Sequence, residues 1–174
     1  MAVDAYFYLK GGTNGVKVEG ETKDDLMSKE KAMEVLSYSF SAANPINVGS
    51  ATGGLTAGKA DFSGLSIMHQ LDTASADLFK SLAQGEHFSD GTLLVRRSGG
   101  KTPNRYMQVN FKKLFVSSIN FSGSQGEEVL VQSTSFEWGA IQFHYYALDA
   151  AGKEVSAPKE MLWSRVTNKS AFAV

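Results

Sequence analysis

The fold class is decided by one stretch of the sequence, residues 106–119, which reads YMQVNFKKLFVSSI. Over most of its length every second residue is apolar, as shown by Met107, Val109, Phe111, Phe115 and Ile119. A period of two is the pattern of a β-strand that turns one face toward a hydrophobic core. The stretch therefore predicts a long, half-buried strand in a mainly β protein.

The same alternation predicts further strands on both sides of this stretch. They cover residues 1–10, 35–40, 62–68, 92–97, 129–138, 141–148 and 161–166, and the fifth and sixth are expected to pair around Gly139. Clusters of Gly, Asn, Asp and Ser separate them, as turns require. Seven or eight such strands favour an all-β barrel or sandwich.

One short α-helix is predicted over about residues 73–84. Asp72 or Thr73 can cap its start, and Gly85 stands where a left-handed residue would end it. Ala74, Leu78 and Leu82 form an apolar stripe along one side. We expect this helix to pack its stripe against the strands.

A glycine-rich run, about residues 42–58, is predicted to be a long extended loop, since it exceeds an ordinary hairpin turn. It leads into Gly53–Ala60, which resembles a phosphate-binding P-loop one residue short of the full motif. Ala60 lacks the hydroxyl that would hold magnesium, and the following residues alternate as a strand rather than a helix. A nucleotide-binding enzyme is therefore the third interpretation.

Composition bounds the function. The chain has 174 residues and 18.8 kDa, the length of one domain, which we expect to span residues 1–174. Seventeen basic and eighteen acidic residues give a net charge of −1, which argues against nucleic-acid binding by bulk charge and against a polybasic membrane anchor. Cysteine is absent, which excludes disulfides and thiolate chemistry.

The N-terminus does not predict a cleavable signal peptide. Asp4 interrupts the apolar residues at once, whereas a signal needs about 7–15 in a row. No window approaches the roughly 18 apolar residues of a membrane span. We expect the chain to fold in the cytoplasm, or to leave by a route that reads no cleavable signal.

Catalytic and metal-binding residues are not predicted. The histidines His69, His87 and His144 lack metal-ligand spacing, and His87 is expected in a solvated turn. No serine stands in a nucleophile elbow. A small basic cluster is a candidate contact for an acidic partner: Arg96, Arg97, Lys101 and Arg105. A sequence without such patterns favours a binding or structural role without a cofactor.

Motifs along the whole chain carry a family resemblance. They are Val18–Thr22 (VEGET), Val35–Phe40 (VLSYSF), Gly58–Lys59, Gly85–His87 (GEH), Leu94–Gly100 (LVRRSGG), Phe115–Ser118 (FVSS) and Gly123–Glu127 (GSQGE). In this order the sequence resembles the haemolysin-coregulated protein (Hcp) family, the tube subunit of the bacterial type VI secretion system. It departs from that family in a lengthened turn at Gly11–Gly15, and in Ala76 where a proline is usual.

The resemblance implies a compact β-barrel of two antiparallel sheets with a flanking helix. Six copies would form a ring, and rings would stack into a tube inside a contractile sheath, with a spike protein at the tip and effector proteins in the lumen. It implies no reaction and no cofactor. Such a tube assembles in the cytoplasm and is then secreted. Because the chain stops at Val174, soon after its last strand, no C-terminal effector extension is expected.

Two groups of residues are assigned to this assembly. Apolar residues of the long loop are expected to contact a neighbouring subunit or ring: Pro45, Ile46, Val48 and Leu55. Small hydroxyls are candidates for lining the lumen, namely Ser37, Ser39 and Ser41, while Leu36, Tyr38 and Phe40 would anchor the opposite face in the core. The alternative for the serines is an ordinary solvated face on the outside of the barrel.

A rival interpretation is a monomeric β-barrel module that binds a sugar or a peptide. Its binding platform would be aromatic, formed by Trp138, Trp163, Tyr145 and Tyr146. Aromatic residues in β-proteins are more often core than platform. Solution mass separates the two, because a tube subunit forms a sixfold ring and the module stays a monomer.

Overall fold

Eleven β-strands and one α-helix make up the part of the chain that the computed structural model describes, residues 3–47, 56–97, 104–126, 128–150 and 154–174. The strands, in chain order, are β1 (Val3–Gly12), β2 (Met33–Ser39), β3 (Ala42–Ala43), β4 (Ile46–Asn47), β5 (Thr56–Ala57), β6 (Asp61–Phe62), β7 (Leu65–Gln70), β8 (His87–Arg97), β9 (Asn104–Ser122), β10 (Val131–Tyr145) and β11 (Lys159–Ser164). Helix α1 spans Thr73–Gln84, and a 3-10 turn spans Thr13–Gly15.

Six of the strands close into an antiparallel barrel. Their order around the barrel is β10-β7-β2-β1-β8-β9, and β9 pairs back with β10 to complete the circuit. Strand β11 adds to β10 outside the barrel. The mainly β fold with a barrel and one helix is confirmed.

The barrel has two walls that share its two longest strands. The first wall joins β2 and β7 to residues 131–136 of β10 and 118–122 of β9. The second joins β1, β8 and β11 to residues 140–145 of β10 and 107–112 of β9. Because β9 and β10 cross from one wall to the other, the two sheets have a single core between them.

The expected strand pair around Gly139 is wrong, since β10 runs unbroken from Val131 to Tyr145. Gly139 lies inside the strand because the C-terminus packs against it. A Cβ atom on Gly139 would come within 2.6 Å of the Val174 Cγ1 atom. This glycine therefore marks a close approach rather than a turn.

The core fills the barrel with apolar side chains from every wall strand. Its largest members are at most 2% exposed and include Phe7, Phe88, Phe111, Phe136, Leu93, Leu114 and Ile141. Phe7 and Phe136 meet across the barrel, with 5.1 Å between ring centroids. Burial of this apolar surface is the main force that holds the barrel together.

Helix α1 starts and ends where the sequence predicts. The Asp72 side chain accepts a hydrogen bond from the Ala74 backbone N–H, and Ser75 completes a capping box. Gly85 ends the helix with a left-handed φ of 65°. Ala74 and Leu78 join the core, so the predicted stripe holds the helix against the barrel. In the described ranges no helix has the length and apolar content needed to cross a membrane.

Candidate assembly surfaces

The described residues of the glycine-rich run, 42–47 and 56–58, contribute to a two-stranded arm. Strand β3 pairs with β6, and further out β4 pairs with β5. The Gly58 backbone N–H bonds to the Pro45 carbonyl, and this close approach favours glycine because a Cβ atom there would lie 2.7 Å from the Pro45 Cγ atom. Phe62 anchors the base of the arm, 5.6 Å from the Trp138 ring and 6.1 Å from the Trp163 ring.

The arm displays part of the predicted contact set. Pro45 and Ile46 are exposed, and Ile46 keeps 60% of its surface accessible. The other two predicted residues, Val48 and Leu55, lie outside the described residues. Lys59 leads into strand β6 and not into a helix, so the segment lacks the context in which a P-loop binds phosphate.

A β-bulge in β2 decides which way the predicted serines face. Val35 lies opposite His69 and Ser37 lies opposite Met68, so Leu36 is the extra residue. The bulge reverses the alternation after Val35, and Ser37 and Ser39 point out of the barrel.

The same bulge corrects the expected core residues of this strand. Phe40 does reach the core, 6.5 Å from the Phe111 ring. Leu36 and Tyr38 do not, since they are 55% and 38% exposed. Ser41 lies beyond the end of β2, at the base of the arm, where its backbone N–H donates to the Ser63 hydroxyl.

The two outward serines belong to a larger uncharged surface, which we call the serine wall. Strand register aligns one row across four strands, Ser39, Ser66, Ser135 and Ser118, and a second row, Ser37, Met68, Ser133 and Asn120. The alternate residues of these strands, such as Ile67 and Phe136, are buried. Sequence reasoning missed six of the eight members because their alignment depends on strand order, which no local pattern encodes.

The other wall carries a hydrogen-bonded set of polar side chains, which we call the amide ladder: Thr92, Gln108, Asn110, Gln142, His144 and Glu160. Asn110 Oδ1 accepts from the Thr92 hydroxyl and from Gln108, at 3.1 and 3.0 Å. Asn110 Nδ2 donates to Gln142, and Gln142 donates to Glu160, at 2.9 and 2.6 Å. The chain of bonds therefore crosses strands β8 to β11.

Glu160 ends the amide ladder as a charged group. The hydrogen bond from Gln142, and then the contact with His144 Nε2 at 3.0 Å, hold the pKa of Glu160 below its usual range. Both contacts favour the ionised carboxylate. His144, one of the three histidines of the sequence survey, thus has a structural partner.

The predicted basic cluster is divided by burial. Arg96 is only 3% exposed, so it is no surface contact: its Nη2 atom lies 2.6 Å from Asp24, and its guanidinium packs over the Tyr6 ring. Hydrogen bonding to Arg96 lowers the pKa of Asp24. This pair holds the segment after Thr22 against the barrel. Arg97 and Arg105 stack on Tyr106 and Tyr146 instead, and Lys101 lies outside the described residues.

The remaining histidines are also held inside the fold. His87 begins strand β8 opposite Phe115, with 5.2 Å between rings, so its expected place in a turn is wrong. His69 is fully buried, and its Nδ1 atom donates to the Gln70 carbonyl at 2.8 Å. Burial lowers the pKa of His69, which keeps the imidazole neutral. Over the described ranges no group of three His, Asp or Glu side chains is placed to hold a metal ion.

The proposed aromatic platform is not assembled on the surface. Trp138 and Tyr146 are 4% and 5% exposed, and Trp163 packs against the core. Of the four residues only Tyr145 is exposed, because β10 and β11 turn the others toward the core or toward Arg105. Trp138, Trp163, Tyr145 and Tyr146 therefore do not form the expected binding platform.

Comparison with known proteins points to one family. A family model described as "Type VI secretion system effector, Hcp" matches residues 6–145. "Protein hcp1" of Pseudomonas aeruginosa is 28% identical over 171 residues, which cover 98% of this chain and 100% of that protein. A solved structure of a type six secretion system protein superposes with a TM-score of 0.86 at 30% identity, covering 97% of this chain and 99% of that one.

A further neighbour shows the same fold at greater distance. Hcp1 from Salmonella typhimurium superposes with a TM-score of 0.73 at 24% identity, covering 98% of this chain and 100% of that one.

Proposed function

The chain belongs to the Hcp family of type VI secretion proteins, and from that premise we propose that six copies form a ring and that rings stack into the secreted tube. The serine wall is proposed to line the lumen, the arm to contact a neighbouring copy, and the spike protein, contractile sheath and effector proteins to be the partners. The role is structural, with no reaction and no cofactor. The tube assembles in the cytoplasm and is then secreted.

The observation that carries this proposal is the serine wall itself. Eight neighbouring outward positions on four strands hold short hydroxyls, one amide and one thioether, and no charge. A channel that must let varied proteins pass gains from a surface that water wets and that holds no fixed charge, because strong ion pairs would retain one class of cargo. The wall thus fits the inner surface of a tube better than a contact between subunits.

The first experiment tests the ring. Light scattering coupled to gel filtration is expected to give six times the mass of the 18.8 kDa chain. Electron microscopy of concentrated protein is expected to show stacked rings with an open centre. A monomer under all conditions would contradict the proposal.

The second experiment tests which wall faces the lumen. Because the chain has no native cysteine, Ser39→Cys supplies one thiol on the serine wall. A bulky maleimide is expected to label it in dispersed rings and to fail in tubes. Ser156→Cys, at another exposed serine, is the matched control and should react in both states. Equal labelling of both variants in tubes would place the serine wall elsewhere.

The third experiment tests the arm. Ile46→Asp places a charge on the exposed arm and is expected to weaken assembly while the barrel stays folded. Leu55→Asp is also expected to weaken assembly if Leu55 takes part in the proposed contact, which is proposed to include Pro45 and Val48 as well. Unchanged rings and stacks by scattering and microscopy would show that the arm makes no such contact.

A further inference from the structure

Strand register gives the barrel two distinguishable ends. At the arm end, β2 and β7 pass into the arm, and Ser39 pairs with Ser66. At the helix end, β7 finishes at Gln70, which pairs with Val131, and Val131 pairs with Ser122. Helix α1 follows directly. The arm therefore enters β7 at one end of the barrel, and the helix leaves β7 at the other end.

The helix end exposes a group of large apolar side chains. Phe79 of the helix and Phe121 of β9 are 53% and 54% exposed, with 6.0 Å between their rings. Leu71 and Leu130 are 42% and 49% exposed, and the Leu71 backbone N–H bonds to the Leu130 carbonyl. These four residues are named the apolar rim. A cluster of this kind on a small domain is typical of a protein contact.

An acidic cleft adjoins the apolar rim. It holds about 240 Å³ and is lined by Glu21, Thr22, Lys23, Glu34, Gln70, Leu71 and Asp72, which are three carboxylates against one ammonium. Glu21 and Glu34 each use one oxygen to accept a hydrogen bond inside the chain, from Thr73 and Thr22. In the described ranges neither of them forms an ion pair. Leu71 belongs to both features and joins them.

The arm carries the complementary groups. Ile46 is exposed beside Pro45, and Lys59 is exposed two residues after Ala57, the partner of Ile46 in the arm. No ion pair within the described residues uses Lys59. An apolar side chain and a cation thus stand a few residues apart on the arm, as the apolar rim and the acidic cleft adjoin each other at the helix end.

We propose that the arm of one copy docks on the helix end of a second copy, with Ile46 on the apolar rim and Lys59 in the acidic cleft. This inference rests on the proposed self-assembly and names the surface that receives the arm. The contact joins two different patches of the same chain, so it repeats head to tail and continues indefinitely or closes into a ring. Apolar burial supplies affinity, and the charge pair fixes the orientation.

Cysteine pairs test the contact. The variant that combines Ile46→Cys with Leu71→Cys is oxidised under assembly conditions and run on a non-reducing denaturing gel. A ladder of covalent multimers is expected, because every copy offers one thiol of each kind to a different neighbour. Each single variant should stay a monomer on the gel, because a neighbour then offers no thiol opposite its own. The pair Ile46→Cys with Met161→Cys, whose second thiol lies on exposed β11, is the matched control and should give no ladder.

The outcomes separate this inference from the proposed function. Sixfold particles that give no ladder overturn the docking surface and leave the proposed ring standing. Efficient dimers from Ile46→Cys alone mean that two arms meet each other, which also overturns it. Wild-type protein that never exceeds a monomer contradicts the proposed function before any cross-linking is attempted.

Charge reversal gives a second and independent readout. Lys59→Glu is expected to raise the concentration needed for assembly about tenfold, and adding Glu34→Lys should restore most of the loss. Lys169→Glu, at an exposed lysine near the C-terminus, is the control and should assemble like the wild type. Equal behaviour of Lys59→Glu and Lys169→Glu would remove Lys59 from the contact.

Discussion

The two walls of the barrel share strands β9 and β10 but differ in chemistry. The serine wall carries short uncharged side chains, and among the described residues the hydrogen bond that joins two of its members, from Ser135 to Ser66, is long at 3.4 Å. The amide ladder crosses four strands with bonds of 2.6 to 3.1 Å and ends on a charged Glu160. Side-chain hydrogen bonds therefore link the strands of the serine wall only weakly, whereas the amide ladder links four strands of the second wall.

The change from one wall to the other takes place where β9 and β10 bend. Lys113 adopts a left-handed φ of 55°, and Gly139 lies in β10 between Trp138, opposite Leu114, and Ala140, opposite Lys112. Beyond this level the inward positions change from even to odd residues, as Phe136 and Ile141 show. Strands β9 and β10 can therefore each contribute to the serine wall at one end and to the amide ladder at the other.

The largest effect is expected from the core that both walls share. Phe136→Ala removes a fully buried ring that packs on Phe7, and we expect a loss of about 3–5 kcal/mol in unfolding free energy. Urea unfolding measures it. Phe121→Ala, at a half-exposed ring, should lose less than about 1 kcal/mol. Equal losses would mean that the walls do not depend on one core.

A smaller loss of unfolding free energy is expected when the ion pair between Asp24 and Arg96 is broken. Asp24→Asn leaves the buried Arg96 without its counter-charge, and Nε and Nη1 of Arg96 already lack partners in the described ranges. We expect a loss of about 2–3 kcal/mol at pH 7, below the full cost of breaking a buried pair because Asp24 is partly exposed. Asp25→Asn, at the exposed neighbour, is the control.

The stability difference between the wild type and Asp24→Asn is expected to depend on pH, and the lowered pKa of Asp24 gives the direction of that change. Its pKa is lowered in the folded protein by Arg96, so its stabilising contribution is present above the unfolded value of about 3.8 and is lost as the pH falls through the folded pKa. The difference in stability between wild type and Asp24→Asn should therefore shrink on acidification. A constant difference from pH 7 to pH 3 would contradict the assignment.

The sequence predicts those elements whose signals are local. The helix over 73–84 has its cap at Asp72 and its stop at Gly85 within a few residues, and most strands show their alternation directly. Bulges are not predicted in this way. The extra residue Leu36 reverses which side chains of β2 face the core. Strand β10 is continuous through Gly139, although its sequence predicts two strands. Both depend on what packs against the strand.

Buried His69 is expected to make stability depend on pH below neutrality. Its lowered pKa means that the unfolded chain binds a proton near pH 6.5 while the folded chain does not, so stability falls as the pH drops through that range. The slope is at most about 1.4 kcal/mol per pH unit for one proton. Urea unfolding at pH 7.5 and 5.5 should show a loss of about 1 kcal/mol that His69→Gln removes.

Asp72 beside His69 acts in the opposite sense at lower pH. Burial raises the pKa of Asp72, so the folded chain takes up this proton first as the pH approaches the unfolded value of about 3.8. The loss of unfolding free energy due to His69 should therefore be measured above pH 5, where Asp72 contributes little to the pH dependence. A slope that is unchanged in His69→Gln would assign the effect to another histidine.

The candidate surfaces were predicted less completely than the fold. Alternation within one strand predicts that Ser37 and Ser39 share a face, but Ser66, Ser118 and Ser135 join them only through pairing between strands distant in sequence. The acidic cleft shows the same limit, since Glu21, Glu34 and Asp72 come from three separate segments. Local sequence patterns predict which side of a strand a residue lies on, whereas the order of the strands determines which residues lie next to it.

The smallest effects compare the two walls directly. Gln142→Ala leaves Asn110 and Glu160 without the partner that joins them, and we expect a loss of about 1 kcal/mol. Ser135→Ala removes only the 3.4 Å contact with Ser66 and should stay within about 0.5 kcal/mol of the wild type. Urea unfolding of the two single variants and the double variant measures both. Since no side-chain hydrogen bond among the described residues joins Gln142 to Ser135, the two losses should add. A larger loss of unfolding free energy in Ser135→Ala would mean that side chains of the serine wall stabilise the barrel. Their short hydroxyls would then be explained by stability and would no longer support a lumen that accepts varied cargo.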